Sequence, residues 1–337
     1  MLINKIFLES ELTNNPHAQK ILSHFKQCEV QTIDNYQDYW GRVKKPYLEK
    51  RENLNLFIAQ KKGQLIKRAP DAYGTNTGEH YYYIHAYNCI YECEYCYLQG
   101  HFHTPDLVLF VNHQDIIQEM EKLSLNKNEI WFHAGEFSDS LALAHVTGEL
   151  SLYHDFLQRN PNAKIELRTK SANVGQLLEL APLENLITTF SLSPEKTAKA
   201  FDHKTPSVKA RLAAMKKLTD QKYPIGIHFD PIIHTDDFKQ SYLELIQTLK
   251  QQIDIDCIQY ISLGVVRFTQ EVFHQFKQNY PKSSLHLSEM VTSFDHKVRY
   301  PHPIRMWMMN HIKQLLIDIQ IPEQKIYLCM EEVEEHA

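Results

Sequence analysis

From about residue 80 onward the sequence alternates short runs rich in apolar and β-branched residues with amphipathic segments of helical length. Strand runs are expected at residues 81–86, 107–111 (LVLFV), 130–133, 165–169, 186–192, 223–229 and 257–263. Between them, residues 205–218 carry Thr205 as a candidate N-cap, Pro206 at the first helical position and the stripe Val208, Leu212, Met215. Asn112 is placed to cap a helix bearing Ile116, Ile117, Met120 and Leu123, and Leu243, Ile246 and Leu249 mark another. Parallel strands need crossover helices both to join them and to cover the sheet, so this alternation predicts a parallel α/β domain.

The ends differ in texture. Before it, residues 55–60 (NLFIAQ) and the QLIKR that follows KKG suggest a hairpin, and the turn-rich PDAYGTNTGE is the candidate boundary. Beyond about residue 275, basic and aromatic residues at 297–305 lead into a helix around 306–319 and an acidic tail, EEVEE, expected at the surface. The expected organisation is an N-terminal α/β appendage over 1–75, a catalytic domain over 76–275 and a C-terminal extension over 276–337. With 337 residues the chain can hold one large domain and a smaller appendage. Hydrophobic residues at 43% and charged residues at 23% exclude a disordered chain, and the net charge of -5 gives no general attraction to nucleic acid. The opening MLINKIFLESELTNN completes no signal-like apolar core, and no run reaches the roughly 20 apolar residues of a membrane span, so a cytoplasmic location is expected.

The chemistry concentrates in NCIYECEYCYLQG, residues 88–100, where Cys89, Cys93 and Cys96 follow a candidate strand. Cys28, Cys257 and Cys329 lie far from them in sequence, so a set of thiolates serving one metal site is expected. Zinc would need a fourth Cys or His in tetrahedral geometry, for which His85, His101 and His103 are the near candidates; it also favours paired C-x2-C elbows, and one spacing here is C-x3-C. Alternatively, three thiolates hold three irons of a cubane [4Fe–4S] cluster and leave one iron open for a small molecule.

The spacing C-x3-C-x2-C, with the aromatic Tyr95 before the last cysteine, resembles the signature of the radical S-adenosylmethionine superfamily. The resemblance narrows to spore photoproduct lyase and its relatives through NCIYECEYCYLQG with LVLFV, GEHYYYIHAYNC, the TKS segment at Thr169, YPIGIHFDPII and RYPHPIR, and so covers most of the chain. It implies an α/β fold, a partial (β/α)6 TIM-type barrel, together with a [4Fe–4S] cluster. It also implies a one-electron reductant such as flavodoxin or ferredoxin, and cleavage of S-adenosylmethionine to a 5'-deoxyadenosyl radical. In spore photoproduct lyase that radical abstracts hydrogen from a thymine-dimer lesion in DNA and reverses it.

The same resemblance distributes roles. Gly135 and Glu136 in HAGE resemble the GGE motif that meets the methionine amino group, and a carboxylate can accept from an ammonium. Lys170, closing Arg168-Thr169-Lys170-Ser171, matches the lysine of the family and is suited to the methionine carboxylate. Ser138 with Asp139, and Asp230 in Phe229-Asp230-Pro231, are candidate contacts to cofactor or substrate, although both segments also suit ordinary turns. Tyr95 and Tyr97 are candidates for returning hydrogen to a product radical. Arg299, Tyr300 and Arg305 form a basic and aromatic mixture suited to DNA.

One departure is plain. The spore lyase donates hydrogen from a cysteine in the loop after the third strand; here that loop reads AGEFSDS, with Glu136 at the matching place. A carboxyl O–H bond is far too strong to give its hydrogen to a carbon radical. Either Cys329 or a tyrosine acts instead, or the substrate is another nucleotide, a peptide or a metabolite. A zinc-stabilised nucleic-acid-binding or structural protein is the non-enzyme alternative.

Overall fold

The computed structural model describes residues 3–41, 53–70, 77–287, 289–293 and 295–331. The expected boundary segment at 71–76 and most of the acidic tail, from 332, lie outside the described residues.

Two sheets organise the chain. The first contains β1 (Ile3–Glu9), β2 (Glu29–Ile33), β3 (Leu54–Ala59), and, from further along, β6 (Ala86–Tyr87) and β7 (Leu107–Phe110), in the order β2-β1-β3-β7-β6. The second begins with β4 (Ile66–Arg68) and β5 (Glu79–Tyr83) and continues through β8 (Ile130–Ala134), β9 (Ala163–Thr169) and β10 (Leu186–Ser191). It ends with β11 (Ile225–Ile232), β12 (Ile258–Val265) and β13 (Ile326–Leu328), in the order β13-β12-β11-β10-β9-β8-β5-β4. Every neighbouring pair from β5 to β13 is parallel, and only the edge pair β4–β5 is antiparallel.

This is a partial (β/α) barrel, as the resemblance implies. Strands β8 and β10 are buried at every residue, as central parallel strands covered on both faces must be. The covering helices supply most of the expected stripes: helix His113–Ser124 buries Ile116, Ile117 and Met120 with Leu123 half-buried, and helix Phe238–Gln252 buries Ile246 and Leu249 together with Tyr242 and Leu245, leaving the expected Leu243 half-buried.

Several expectations need correction. LVLFV does form a strand, but β7 joins the first sheet beside β3 and not the barrel; all four of its residues are buried, and periodicity in so short an apolar run cannot say against which sheet. The first sheet therefore draws on residues on both sides of the expected boundary at 75. The N-terminal hairpin does not form: β3 pairs with β1 and β7, while β4 pairs with β5 in the other sheet. The helix expected from Thr205 starts at Val208, because the Ser207 side chain accepts the Ala210 N–H at 3.2 Å and so caps two residues later. Asn112 occupies the N-cap position without capping; its Oδ1 accepts the Lys61 N–H at 2.8 Å and ties the helix start to the β3 end. Finally, β13 brings the C-terminal extension into the barrel as an edge strand beside β12.

Candidate active site

The C-terminal ends of β8, β9 and β10 and the cysteine loop line an open cleft of about 550 Å³, solvent at its mouth included, at the end of a parallel barrel where side chains from successive strands converge. Its wall contains Cys89, Cys93, Cys96, Tyr91, Tyr97 and Leu98 from the loop, and Gly135, Glu136, Ser138 and Asp139 after β8. Arg168, Thr169 and Lys170 close β9 there, and Ser191 closes β10.

The cysteine loop is held at both ends. Asn88, at φ 62°, takes a left-handed conformation that Asn tolerates, and its buried amide donates to the Thr104 and Asp106 carbonyls at 2.8 and 2.7 Å. Further on, Glu92–Cys93 pairs antiparallel with Asp202–His203, and the Glu94 N–H reaches the Phe201 carbonyl at 2.9 Å. Burial pushes the Cys93 thiol well above its ordinary range. Such a sulfur is inert as a free nucleophile, and only a bound cation would hold it as a thiolate.

Gly135 has φ 96°, and a Cβ there would lie 3.0 Å from the Arg168 carbonyl oxygen and 3.0 Å from its Cβ. Glycine at this position lets the β8 loop lie flat against the end of β9. The next residue, Glu136, has its carboxyl pushed up by burial, with Arg168 opposing. Its backbone carbonyl accepts from the Tyr97 hydroxyl, which joins the cysteine loop to the β8 loop. Asp139 is spent within the protein: its two oxygens accept from the Leu141, Ala142 and Lys170 backbone N–H groups and from the Thr169 hydroxyl, at 2.7 to 3.0 Å. Ser138 remains in the wall. The Lys170 ammonium lies 5.4 Å from the Tyr95 ring centroid.

The remaining candidates are elsewhere. The Tyr95 hydroxyl is committed to Asp202, which also receives the Arg211 guanidinium at 3.1 Å, so Tyr95 braces the loop from behind. Asp230 forms a two-pronged pair with Arg267 at 3.0 and 2.9 Å; burial would raise its pKa, but Arg267 holds it below the usual range. Cys329 follows β13, is 7% exposed, and has its sulfur 3.7 Å from Arg267 Nη2, outside the cleft wall. Burial pushes its pKa up, so it remains a thiol.

Arg299, Tyr300 and Arg305 are corrected: at 0%, 2% and 3% exposure they cannot form a nucleic-acid surface. Glu331 accepts from Arg299 and, with both oxygens, from Arg305, making this a buried ionic lock for the C-terminal segment. The pattern of basic and aromatic types was the same for either role, and only burial distinguishes them. Arg168 was passed over as a site residue, yet it stands in the cleft wall with Thr169 and Lys170, where the chain leaves the end of β9.

Of the candidate zinc histidines, His85 is buried beside Glu149 and pushed down to about 4 by burial, whereas His101 and His103 are exposed. None lines the cleft. Among the described residues, no group of three His, Cys, Asp or Glu side chains is placed to hold a metal ion. No helix among them is long and apolar enough to cross a membrane.

Against known proteins, the family profile described as spore photoproduct lyase matches residues 2–320. The spore photoproduct lyase of a Geobacillus species is 25% identical over 291 residues, 84% of each chain. That of Bacillus subtilis is 26% identical over 209 residues, 60% of this chain and 61% of the relative. Among solved structures, a spore photoproduct lyase mutant with bound AdoMet and dinucleoside spore photoproduct superposes with a TM-score of 0.83 at 21% identity, over 98% of this chain and 99% of the other. A spore photoproduct lyase complexed with dinucleoside spore photoproduct gives 0.81 at 20% identity, over 97% and 98%. At such identities the superpositions speak for the fold.

Proposed function

Because the chain belongs to the spore photoproduct lyase family of the radical S-adenosylmethionine superfamily, we propose that it is a carbon–carbon lyase that uses a [4Fe–4S] cluster and S-adenosylmethionine to reverse a thymine-dimer lesion. The observation that carries this reading is the convergence of Cys89, Cys93, Cys96, Glu136 and Lys170 on one cleft at the C-terminal end of the barrel.

The donor set fits the cluster better than a lone ion. A single zinc draws its ligands around one point, whereas each thiolate of a three-cysteine cubane site serves a different iron around a larger volume. Cys93 is buried and Cys89 and Cys96 are partly so, which shields a cluster from solvent. When bound, the cluster and S-adenosylmethionine supply reductive cleavage and a carbon radical. The protein's part is to bind and orient. Lys170 would take the methionine carboxylate as a charge-assisted donor, and Glu136 would accept from the amino group, which would reverse the upward push on its carboxyl. Tyr97, in the cleft wall with its hydroxyl fixed on the Glu136 carbonyl, is the better placed of the two tyrosines for hydrogen return.

A second reading keeps the radical chemistry and changes the substrate. It rests on Glu136, which stands where the spore lyase carries its cysteine, and on the position of Cys329 behind Arg267. Anaerobic reconstitution should give about four irons and four sulfides per chain, with 5'-deoxyadenosine released on reduction. Stoichiometric zinc without cleavage would refute the enzyme. Thymine recovered from dinucleoside spore photoproduct supports the lyase, and cofactor cleavage that leaves the lesion untouched favours the second reading.

A further inference from the structure

Barrel interiors of this type are ordinarily filled by branched apolar side chains. Below this cleft the interior instead holds a continuous polar path. The Glu166 carboxylate, 1% exposed, accepts from His133 Nδ1, from His228 Nε2 at 3.1 Å, from the Tyr260 hydroxyl at 2.7 Å and from Arg168 Nη2 at 3.2 Å. On its far side, His133 Nε2 lies 2.9 Å from His80 Nδ1, and His80 Nε2 lies 3.0 Å from the Thr77 carbonyl oxygen. The two imidazoles are 14° from coplanar. With that N···N separation they meet edge to edge, as an N–H···N bond requires.

Counting hydrogens along the path gives a result that no single contact shows. Three links need one hydrogen each: Glu166 to His133, His133 to His80, and His80 to the Thr77 carbonyl. Both ends of the path can only accept, since a carbonyl has no hydrogen and Glu166 is an anion. Burial alone would raise the Glu166 carboxyl, but Arg168 and its histidine partners hold it well below the ordinary range. Two neutral imidazoles carry two ring hydrogens between them. The third link therefore calls for one additional proton on the pair.

We propose that His80 and His133 share one extra proton as an imidazole–imidazolium pair, and that this pair, acting through Glu166, positions Arg168 in the cleft wall. The charged and titratable groups around it are consistent with this. Glu166 meets the pair from β9, and that carboxylate is in turn surrounded by Arg168 of β9, His228 of β11, Tyr260 of β12 and Tyr327 of β13, with Asp230 beyond His228. Glu136 faces it from the β8 loop and Tyr82 from β5, with Lys67 and Arg68 of β4 opposite Tyr82 and Tyr81. Outside, the Trp131 ring lies parallel to both histidines, with Lys164 above it and paired to Glu129. With the proton present, Glu166 lies between a cation below and Arg168 above. Once the proton leaves, Arg168 is the remaining strong cation on that carboxylate and is drawn down out of the cleft. His80 and His133 are thus positioning residues that act through Glu166, and only what Arg168 faces in the cleft rests on the function proposed above.

The test is nitrogen NMR of the full chain labelled in histidine and arginine, with signals assigned from His80→Gln, His133→Gln and Arg168→Lys. At neutral pH, three of the four ring nitrogens of the pair should be protonated, and two of four would overturn the shared proton. The Arg168 Nε signal should move with the same pH midpoint as the pair. In His80→Gln, a change at the partly exposed end that spares the core, that midpoint should be displaced by about one pH unit or more. An Arg168 signal that ignores the pair's titration would overturn the positioning role. Neither readout depends on cofactor cleavage, so a chain that cleaves no S-adenosylmethionine would refute the lyase and leave this result standing.

Discussion

The Asp139 carboxylate accepts the backbone N–H of Lys170 at 2.7 Å, across the gap between the β8 loop and the end of β9. Three further donors converge on the same carboxylate, so it sets the distance between the segment carrying Glu136 and the segment carrying Lys170. Asp139, a candidate ligand contact in the sequence, is therefore a clamp that fixes the two segments carrying the proposed cofactor contacts Glu136 and Lys170.

Asp139→Ala should cost about 3 kcal/mol or more, because it leaves several buried donors without an acceptor. Urea unfolding measures that loss. The same variant should bind S-adenosylmethionine at least about tenfold more weakly even where it remains folded, a step of about 1.4 kcal/mol. Unchanged affinity in the folded variant would show that the clamp does not set the site.

Tyr97 and Tyr95 should separate in their effects. Tyr97→Phe removes a hydroxyl at the cleft wall together with its bond to the Glu136 carbonyl, so stability should fall by about 1 kcal/mol, while in the folded fraction product formation slows by about tenfold or more. Tyr95→Phe removes a donor to Asp202 behind the loop, so it should lower stability by about 1 kcal/mol and leave turnover of the folded fraction near wild type. Thermal unfolding beside single-turnover assays distinguishes them, and reversed effects would exchange their roles.

The buried lock at the C-terminus gives a prediction contrary to a nucleic-acid role. Glu331→Gln takes the charge from a carboxylate that Arg299 and Arg305 both use, and breaking a buried ionic group of this kind costs about 3–5 kcal/mol. A large drop in midpoint denaturation is expected. Arg305→Met should be destabilising too, yet should leave the salt dependence of oligonucleotide binding unchanged, since a buried guanidinium releases no phosphate counterions.

The barrel was legible because its strands recur with helical segments between them, and the cysteine loop because three thiols at a fixed spacing serve few purposes. Residues 130–134, 163–169 and 186–191 fall within a few positions of their expected runs. What escaped depends on partners distant in sequence. LVLFV carries no mark of the sheet it joins, and Arg305 reads as surface until Glu331 folds onto it. The path from Thr77 to Glu166 was equally hidden, because its members come from separate strands and are spaced without a motif.

The pair Glu149 and His85 makes stability depend on pH in a defined window. Glu149 Oε1 lies 3.9 Å from His85 Nδ1, and burial raises the Glu149 carboxyl to about 7. An unfolded glutamate releases its proton near pH 4.3. Between that value and about 7 the folded chain therefore holds more protons at this residue than the unfolded chain, so its contribution to stability falls as pH rises and then levels off. Over the window this amounts to roughly 4 kcal/mol. His85, pushed down to about 4, acts in the opposite sense, because it gains stability as pH rises from about 4 to 6.5. The two nearly cancel in the wild type, and removing the carboxylate exposes the histidine alone. Glu149→Gln should therefore be more stable than wild type at pH 8 by much more than at pH 5. Unfolding free energies of both proteins across that range provide the check, and parallel curves would show that Glu149 is ionised in the fold.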